Sequence, residues 1–505
     1  MDYVSNDIIE FGRNIPVPCN VTLLTDGVES RLEILEILRI LPGKRLTAVA
    51  RWNGKKTVAK LFFHPTAWKR KLNRELSGME EFEKHKLATP KILGQHNIKG
   101  AGGVILIEYL ETGISLAEYF ADEKSVSSPD GERIWSLIFS VVCSCHNTGL
   151  WQGDMHLGNY MLFKDQLYLI DGGDVKRLVK PLGKSQRLEN IADFISQFPV
   201  SFDVQIDLML ESYQVGYGKF SSADLAKVQP MVQNLRMQRL SYFEKKVFRS
   251  TSATEKVKTT KYLLVHDRLL AENDLAQLLQ NPDRYIKPET MLKDGDTTTV
   301  AVANIGGIPM ILKRYNIVSP SQALRRLLDE SRAHRCWRNS SMLDLLGIYT
   351  PHAHLFLEER LYRFFRRRSY LLTEKIAANN LIIQLEGVDG AINDGPVNSS
   401  SNSTANEAIN ETKLVAAFAD LFEIMHRYKI SHGDMKATNF IFLNDRLYVL
   451  DLDSMRRHRF KWWSHRKSLQ DMKRFEKNWT GSRYEQLFAP MINQYYENRR
   501  ASNRG

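Results

Sequence analysis

Three polar residues in the first half of the sequence have the types and spacing needed to bind a metal ion and to position a hydroxyl group. Asp154 and Asn159 are five residues apart on a loop that begins at Gly153, and Asp171 follows a predicted strand at 166–170. A hairpin return could bring both carboxylates and the amide oxygen to one point. Such hard oxygen ligands suit Mg²⁺, which binds through one or two carboxylates together with substrate phosphates. If Asn159 and Asp171 hold the metal, Asp154 is left to orient or deprotonate an acceptor hydroxyl, as phosphoryl transfer requires.

The same polar set occurs a second time. Residues 151–177 and 431–457 align without a gap, and the matched positions include polar residues that apolar periodicity alone would not repeat. The matched pairs include Gly153/Gly433, Asp154/Asp434, Asn159/Asn439, Asp165/Asp445 and Asp171/Asp451. We therefore interpret the chain as two copies of one domain, at 1–250 and 251–505, with a boundary near the polar stretch 248–258.

A lysine at the end of a short apolar strand precedes each copy of the motif. Lys60 and Lys313 are compact cations suited to nucleotide phosphates. Glu75 lies 15 residues after Lys60 in a helical stretch, where it could hold that lysine in place. The matching position in the second copy, counted back from a shared Thr-Pro, is Cys336, whereas Glu330 lies 17 residues after Lys313. Two interpretations stay open: Glu330 holds Lys313, or the second copy binds nucleotide without turnover.

Each copy begins with short segments separated by turns and ends with longer helical patterns. Residues 35–63 predict three strands with turns at 42–43 and 53–54, and the Asn-Gly pair of the second turn is a strong hairpin signal. Residues 134–149 predict an apolar-faced helix that ends at Gly149. Residues 387–412 are rich in Asn, Ser and Gly and lack aromatic residues, which predicts a flexible loop inserted in the second copy.

Composition limits the class of protein and of partner. The 505 residues carry 70 Lys and Arg against 58 Asp and Glu, a net charge of +12 that suits an anionic partner such as nucleic acid, an acidic membrane or a phosphorylated substrate. Four cysteines exclude a disulfide scaffold and predict buried thiols. The first residues do not resemble a signal peptide, and the apolar runs are too short to span a bilayer. These features predict a cytoplasmic location.

Taken together, these residues and their order along the chain resemble the sequence pattern of proteins with a protein-kinase-like fold. The resemblance implies an α+β fold of two tandem kinase-like domains, each with a small antiparallel-sheet N-lobe and a mainly helical C-lobe. It implies that Asp154 and Asp434 are the catalytic aspartates. It assigns metal binding to Asn159, Asp171, Asn439 and Asp451, and nucleotide binding to Lys60, Glu75, Glu108, Leu110, Lys313 and Glu374.

Within that fold, the sequence more closely resembles the bacterial kinases of the lipopolysaccharide core, which phosphorylate heptose or Kdo sugars. The segments that carry this similarity are 291–297, 312–316, 331–333 and 346–351. The resemblance implies ATP and Mg²⁺ as cofactors and a lipopolysaccharide core or lipid A–core acceptor. It also implies a place on the cytoplasmic face of the inner membrane, and no nucleic-acid partner is expected.

Two clusters of basic residues could bind such an anionic acceptor. Residues 456–467 interleave cations with Phe460, Trp462 and Trp463 just after Asp451, and Arg363, Arg366, Arg367 and Arg368 form the second cluster. One interpretation is a solvated face, and the other is a surface that docks on anionic lipid.

Two other functions stay open beside the sugar kinase. A pseudokinase pair would act as a regulator or scaffold, which Gln152 and Cys336 favour because they depart from the kinase pattern. A kinase of a soluble acceptor is the other possibility: His156 is typical of small-molecule kinases, and Lys436 of protein kinases.

Overall fold

The chain forms two compact units, Met1–Gln238 and Arg239–Gly505, which we call unit 1 and unit 2. The computed structural model describes residues 2–25, 27–121, 130–316, 330–361, 365–386 and 409–501. Both units mix strands with helices. The boundary between the units thus lies between Gln238 and Arg239, about ten residues before the polar stretch at 248–258. Within that stretch Thr254–Lys258 forms a strand.

Unit 1 has a strand-rich first part and a helix-rich second part. Its strands are β1 (Asp2–Tyr3), β2 (Cys19–Thr25), β3 (Val28–Leu41), β4 (Arg45–Trp52), β5 (Lys55–Phe62), β6 (Ile92–Ile98), β7 (Gly103–Glu108), β8 (Ile114–Ser115), β9 (Leu150–Gln152), β10 (Tyr160–Phe163), β11 (Gln166–Leu169) and β12 (Val175–Arg177). Its helices are α1 (Ser5–Phe11), α2 (Trp68–Lys84), α3 (Leu116–Tyr119), α4 (Asp130–Asn147), α5 (Lys184–Ile195), α6 (Ile206–Tyr217) and α7 (Ser222–Leu225), and α8 (Val228–Lys246) continues past the unit boundary.

The main sheet of unit 1 closes on itself, which the sequence did not indicate. Its strand order is β1-β2-β3-β4-β5-β7-β6, and β2 also pairs with β6 through Leu23 and Ile98. The predicted hairpin forms between β4 and β5, where Asn53 and Gly54 have φ values of 48° and 76°. Both are in the left-handed region that a two-residue type I′ turn requires. The inward side chains of β2 to β7 form one apolar core.

The helical part of unit 1 packs around a core of aromatic rings. The predicted helix at 134–149 forms as α4, and Gly149 lies just past its end with a φ of 80°. Trp135 of α4 stacks on Phe120 at 5.0 Å and meets Phe198 edge-to-face at 5.2 Å. This core is continuous with the buried side of the β10–β11 hairpin, and the residues of the predicted site lie just before and just after that hairpin. None of the described helices in either unit is long and apolar enough to cross a membrane.

Unit 2 has a similar succession of strands and helices. Its strands are β13 (Thr254–Lys258), β14 (Tyr262–Asp267), β15 (Met291–Gly295), β16 (Thr298–Ile305), β17 (Ile308–Tyr315), β18 (Ala353–Leu361), β19 (Phe365–Glu374), β20 (Ile430–Ser431), β21 (Phe440–Leu443), β22 (Arg446–Val449) and β23 (Arg456–Arg457). Its helices are α9 (Glu272–Gln280), α10 (Arg332–Leu345), α11 (Leu381–Glu386), α12 (Glu411–Arg427), α13 (Lys461–Lys477) and α14 (Glu485–Ala501).

The sheet of unit 2 has the order β13-β14-β18-β19-β17-β16-β15. Among the described residues β14 pairs with β13 and β18, so the ring closure of unit 1 has no counterpart in these pairings. The predicted inserted loop lies largely at 387–408, outside the described residues. Its predicted end at 412 was too late, because Asn410 caps the N-terminus of α12 and Glu411 begins that helix.

Candidate active site

The site of unit 1 is organised around a buried ion pair between a strand and a helix. Lys60 of β5 donates to the Glu75 carboxylate of α2 and, at 2.7 Å, to the carbonyl oxygen of Ile170. Only 6% of the Lys60 side chain and 1% of the Glu75 side chain are exposed. Glu75 belongs to the buried face of α2, with Leu72 and Met79, because residues three and four apart share a helix face. The structure thus brings together the two residues that the sequence paired.

The predicted metal and base residues of unit 1 lie around one small cavity, which Asp154, Asn159 and Asp171 all line. The β10–β11 hairpin causes this approach, because Ile170 N donates to Asn159 O at 3.0 Å at its open end. The Asn159 side-chain NH₂ donates to the Asp154 carbonyl at 3.1 Å. This bond fixes the amide so that its oxygen stays available as a ligand.

Asp171 is held as an anion by two cations. Burial by itself would raise the pKa of this carboxyl, but the charges of Lys60 and Arg45 and a hydrogen bond from Gly173 N lower it to about 2. Arg45 of β4 lies 3.2 Å from Asp171 Oδ2 and 3.7 Å from Glu75 Oε2. Asp171 is therefore ionised at neutral pH, as a metal ligand must be.

Two glycines allow the loop after Asp171 to approach helix α2 closely. A Cβ built on Gly78 would lie 2.1 Å from the carbonyl oxygen of Gly172, and one built on Gly172 would lie 2.4 Å from the carbonyl oxygen of Glu75. Both clashes involve backbone, which cannot move aside as a flexible side chain can. The contact therefore fixes the distance between the Glu75 helix and the Asp171 loop.

The loop that carries Asp154 is held by hydrogen bonds from residues that the sequence did not single out. Asn190 of α5 donates to the Gln152 carbonyl at 2.8 Å, and His146 Nε2 contacts Asn190 Oδ1 at 2.9 Å. Tyr160 donates to the Gln152 side chain. Asn190 is a polar residue on a helix face that is otherwise apolar, with Leu188, Ile191 and Phe194. This pattern in the sequence could have indicated that Asn190 supports the loop.

Glu108 and Leu110 lie at the end of β7, where the sequence places nucleotide binding. Glu108 N donates to Lys91 O at 2.9 Å, and Lys91 N donates back to Glu108 Oε2 at 3.3 Å. Glu374 in unit 2 repeats this arrangement with His352: its N–H donates to His352 O at 2.9 Å, and its Oε1 accepts from His352 N at 2.9 Å. Both glutamates thus end the strand that pairs with the lysine strand.

Unit 2 holds its lysine differently from unit 1. Lys313 Nζ lies 3.6 Å from Asp451 Oδ1. Cys336, at the position that matches Glu75, is buried and contacts the Tyr315 hydroxyl at 3.3 Å. One interpretation of the sequence is that Glu330 holds Lys313. In the structure Glu330 instead accepts two hydrogen bonds from Arg338, at 2.6 and 2.8 Å.

A second ion pair of unit 2 joins α10 to the segment after Asp451. Arg332 Nε donates to Asp453 Oδ2 at 2.5 Å, and its Nη1 donates to Thr298 at 3.0 Å. Its guanidinium lies 5.1 Å from the centre of the Tyr315 ring. An arginine thus faces the site in each unit, but Arg45 comes from a strand and Arg332 from a helix.

The predicted base of unit 2 lies on a tightly held loop. Asn439 Nδ2 donates to the Asp434 carbonyl at 2.9 Å, and Lys436 Nζ lies 3.5 Å from Asp434 Oδ1. The buried Asp471 of α13 accepts from His432 N at 2.7 Å and from Gly433 N at 3.0 Å. Asp471 is a further residue that the sequence analysis missed, although an acidic residue on the apolar face of α13 is a readable signal.

A basic cavity of about 480 Å³ lies beside Gly433 in unit 2. The residues that line it are Arg332, Arg335, Ser431, Gly433, Asp453, Ser454, Arg456, His458, Lys467, Asp471 and Arg474. Five Lys and Arg residues against two aspartates leave an excess of positive charge, which favours an anionic occupant.

Comparison with known proteins supports the resemblance seen in the sequence. A model of the "Lipopolysaccharide kinase (Kdo/WaaP) family" matches residues 315–490, within unit 2, which confirms the resemblance there. Among solved structures, WaaP in complex with acyl carrier protein is 15% identical, with a TM-score of 0.31 over 40% of this chain and 88% of that one. The PknI kinase domain of M. tuberculosis is 13% identical, with a TM-score of 0.27 over 41% of this chain and 95% of that one. No curated protein matches the chain.

Proposed function

We propose that the chain is an ATP-dependent phosphotransferase that phosphorylates a sugar hydroxyl of the lipopolysaccharide inner core, and that units 1 and 2 are two kinase-like domains in tandem. The observation that carries the proposal is the constellation of unit 1. Lys60 is paired with Glu75, and Asp154, Asn159 and Asp171 line one cavity. The match of a lipopolysaccharide kinase family to unit 2 supports the choice of acceptor.

The residues present fit a Mg²⁺–ATP complex. The ionised Asp171 carboxylate and the oriented Asn159 amide oxygen are hard oxygen donors of the kind that Mg²⁺ prefers. When bound, the ion would neutralise charge on the nucleotide phosphates. Asn439 and Asp451 would have the same role in unit 2.

The other residues then have separate tasks in the transfer. Lys60, fixed by Glu75, presents its ammonium to the nucleotide phosphates. Glu108 and Leu110 in unit 1, and Glu374 in unit 2, contact the nucleotide at the end of their strands. Asp154 or Asp434 accepts the proton of the acceptor hydroxyl as its oxygen attacks the γ-phosphorus, and ADP leaves with the bond electrons.

The acceptor proposed here is anionic and membrane-bound. The start of α13 exposes apolar rings next to cations: 58% of Phe460 and 65% of Trp462 are exposed, close to Arg459, Lys461 and Arg466. Arg457 does not contribute to this surface, because it binds Glu244 at 2.7 Å. Exposed aromatic and basic residues together favour the interface of an anionic bilayer, which supports the proposal that the protein acts at the cytoplasmic face of the inner membrane.

The test is phosphate transfer from labelled ATP to purified core oligosaccharide. We expect Asp154→Asn with Asp434→Asn to abolish transfer, whereas each single variant assigns the activity to one unit. Asp165→Asn with Asp445→Asn is the matched control, since both are exposed turn residues with φ values of 58° and 61°, which asparagine tolerates. Full transfer by the double variant at 154 and 434 would exclude the mechanism, and ATP turnover with a soluble acceptor alone would exclude the proposed acceptor.

One further observation bears on the pseudokinase alternative. The buried Cys336 occupies the helix position that matches Glu75, and among the described residues Lys313 faces Asp451 instead of a helix glutamate, which favours a regulatory unit 2. Loss of transfer in Asp154→Asn alone, with Asp434→Asn fully active, would support that role for unit 2.

A further inference from the structure

Two histidines and one aspartate, none of which has a role in the proposed transfer, converge on the sheet of unit 2. Asp267 is the last residue of β14, and His352 and His354 lie just before and within β18, the strand that pairs with β14. Both imidazoles lie on the side of Asp267, because a ring nitrogen of each contacts the same Asp267 Oδ2 atom. Their ligand atoms and the Asp267 carboxylate lie within 4.8 Å of one another.

The Asp267 carboxylate is oriented toward the two rings. Its Oδ1 accepts from the backbone N–H groups of Leu269 and Leu270 at 3.1 and 3.2 Å. Its Oδ2 faces His354 Nδ1 at 2.6 Å and His352 Nε2 at 3.2 Å. The side chain of Asp267 is 6% exposed, so this carboxylate is buried and fixed in a position from which it could bind a metal ion.

The geometry points to a binding site for one divalent transition-metal ion of the Zn²⁺ class, with His352 Nε2, His354 Nδ1 and Asp267 Oδ2 as ligands: this is our proposal. A tetrahedral ion with bonds of about 2.0 Å separates its ligands by about 3.3 Å. The Asp267–His352 separation of 3.2 Å is close to this value, and the Asp267–His354 separation of 2.6 Å needs less than an ångström of opening. The two imidazole nitrogens lie within 4.8 Å of each other. Imidazole nitrogens select this class of ion over Mg²⁺, which prefers oxygen.

The surroundings leave a fourth position for water. The His352 side chain is 58% exposed, whereas that of His354 is 16% exposed. The site therefore has two inner ligands on a rigid sheet and one at the surface, with solvent on the open side. Three protein ligands and one open position are a common coordination pattern for zinc.

The site belongs to unit 2 by sequence as well as by structure. Counted from the shared Thr-Pro, the positions of His352 and His354 are Lys91 and Leu93 in unit 1, neither of which ligates zinc. His352 also exchanges two hydrogen bonds with Glu374, which ends the neighbouring strand β19. A bound ion would thus stabilise the region at the end of β19, where unit 2 is proposed to hold its nucleotide.

The test is titration of the full metal-free chain with Zn²⁺ in excess Mg²⁺, which occupies the oxygen sites of the proposed active sites. We expect one strong Zn²⁺ site and a rise of a few degrees in melting temperature. Co²⁺ as a probe should give the intense visible absorption of a four-coordinate ion. His352→Gln, at an exposed position, should weaken Zn²⁺ binding by at least tenfold, and His465→Ala is the matched histidine control.

Each other outcome overturns the proposal. Wild-type stoichiometry and affinity in both His352→Gln and His354→Gln would place the ion elsewhere. The absence of a strong site in the wild-type chain would leave the cluster as a hydrogen-bonded ion pair only. These measurements do not involve ATP, so they stand apart from the test of phosphate transfer.

Discussion

The ammonium of Lys60 is enclosed against the carboxylate of Glu75, and the corresponding Lys313 is 3.6 Å from Asp451 instead. The two units therefore differ in how strongly the lysine is fixed. In unit 1 the ammonium of Lys60 donates both to the helix residue Glu75 and to the carbonyl oxygen of Ile170, which directly precedes Asp171. In unit 2 the lysine depends on a side chain that is itself predicted to bind metal.

Replacing Glu75 with Gln should weaken unit 1 in two ways. Removing one partner of a buried ion pair commonly costs about 3–5 kcal/mol, because the other charge is left uncompensated. The charge of Lys60 also acts on Asp171, so the ammonium keeps one counter-charge in the variant. We therefore expect a loss of unfolding free energy at the lower end of that range and at least a tenfold weaker binding of an ATP analogue. Denaturant unfolding and fluorescence titration measure the two effects. Glu80→Gln on the exposed face of α2 is the control, and equal effects of both changes would contradict this account.

Replacing Arg45 with Gln should make unit 1 bind Mg²⁺ more tightly. Arg45 lies 3.2 Å from Asp171 Oδ2, so its charge opposes any second cation at that carboxylate. We expect the Mg²⁺ concentration for half-maximal nucleotide binding to fall, by roughly tenfold. Lys44→Gln, an exposed neighbour, should leave that concentration unchanged. A higher Mg²⁺ requirement in Arg45→Gln would show that the arginine assists the metal rather than opposing it.

Replacing Gly78 with Ala should destabilise the protein, although the same change inside a helix normally stabilises it by about 1 kcal/mol. The added Cβ would lie 2.1 Å from the Gly172 carbonyl oxygen, and the backbone of one segment must move. We expect a loss of about 1–3 kcal/mol, as in overpacked cores. Thermal unfolding measures it, with the exposed neighbour Ser77→Ala as control. A stabilised Gly78→Ala variant would show that the helix and the Asp171 loop are not held in contact.

Local patterns in the sequence predicted the local parts of this site well. The Asn-Gly turn, the three strands around it, the helix ending at Gly149 and the approach of Glu75 to Lys60 follow from residues close together in the chain. Each depends on turn chemistry or on a helical or strand period, which a sequence displays directly.

Contacts between distant residues could not be predicted in the same way. Arg45 and Asp171 are 126 residues apart, and Arg332 and Asp453 are 121 apart, so only the packing of sheet and helix brings them together. Closure of the unit 1 sheet depends on two residue pairs between β2 and β6. Glu330 and Arg338 are only eight residues apart, but Glu330 precedes helix α10, so helix periodicity did not indicate their contact.

Replacing Asp471 with Asn should impair unit 2 through the loop that carries Asp434. Asp471 is 1% exposed and accepts from the N–H groups of His432 and Gly433. An asparagine NH₂ would face one of these donors, which costs about 1–3 kcal/mol for an unsatisfied buried group. We expect kcat of any unit 2 activity to fall with little change in KM for ATP, since Asp471 positions the loop without touching nucleotide. A larger change in KM than in kcat would contradict that role, and Gln470→Glu at the preceding position is the control.

Acidification should destabilise unit 1 through His146. Burial, with the nearby charge of Arg187, lowers the pKa of His146 to about 4 from an ordinary value of 6.5. Its two ring nitrogens contact Tyr213 and Asn190, which suits a neutral imidazole that donates to Asn190. As the pH falls, the unfolded chain binds a proton at His146 before the folded protein does. The contribution of the neutral imidazole to the unfolding free energy is therefore fully present above about pH 6.5 and is lost as the pH falls toward 4. The full loss is about 3 kcal/mol.

The measurement is unfolding free energy between pH 7.5 and 4.5 for wild type and His146→Gln. The glutamine variant should be less stable at pH 7.5, because it packs less well, but its stability should fall less steeply with acid. His64→Gln, at a half-exposed position, should keep the wild-type slope. Equal slopes in wild type and His146→Gln would mean that the buried imidazole does not control acid stability. Because Asn190 holds the Gln152 carbonyl, protonation of His146 should also loosen the loop that carries Asp154.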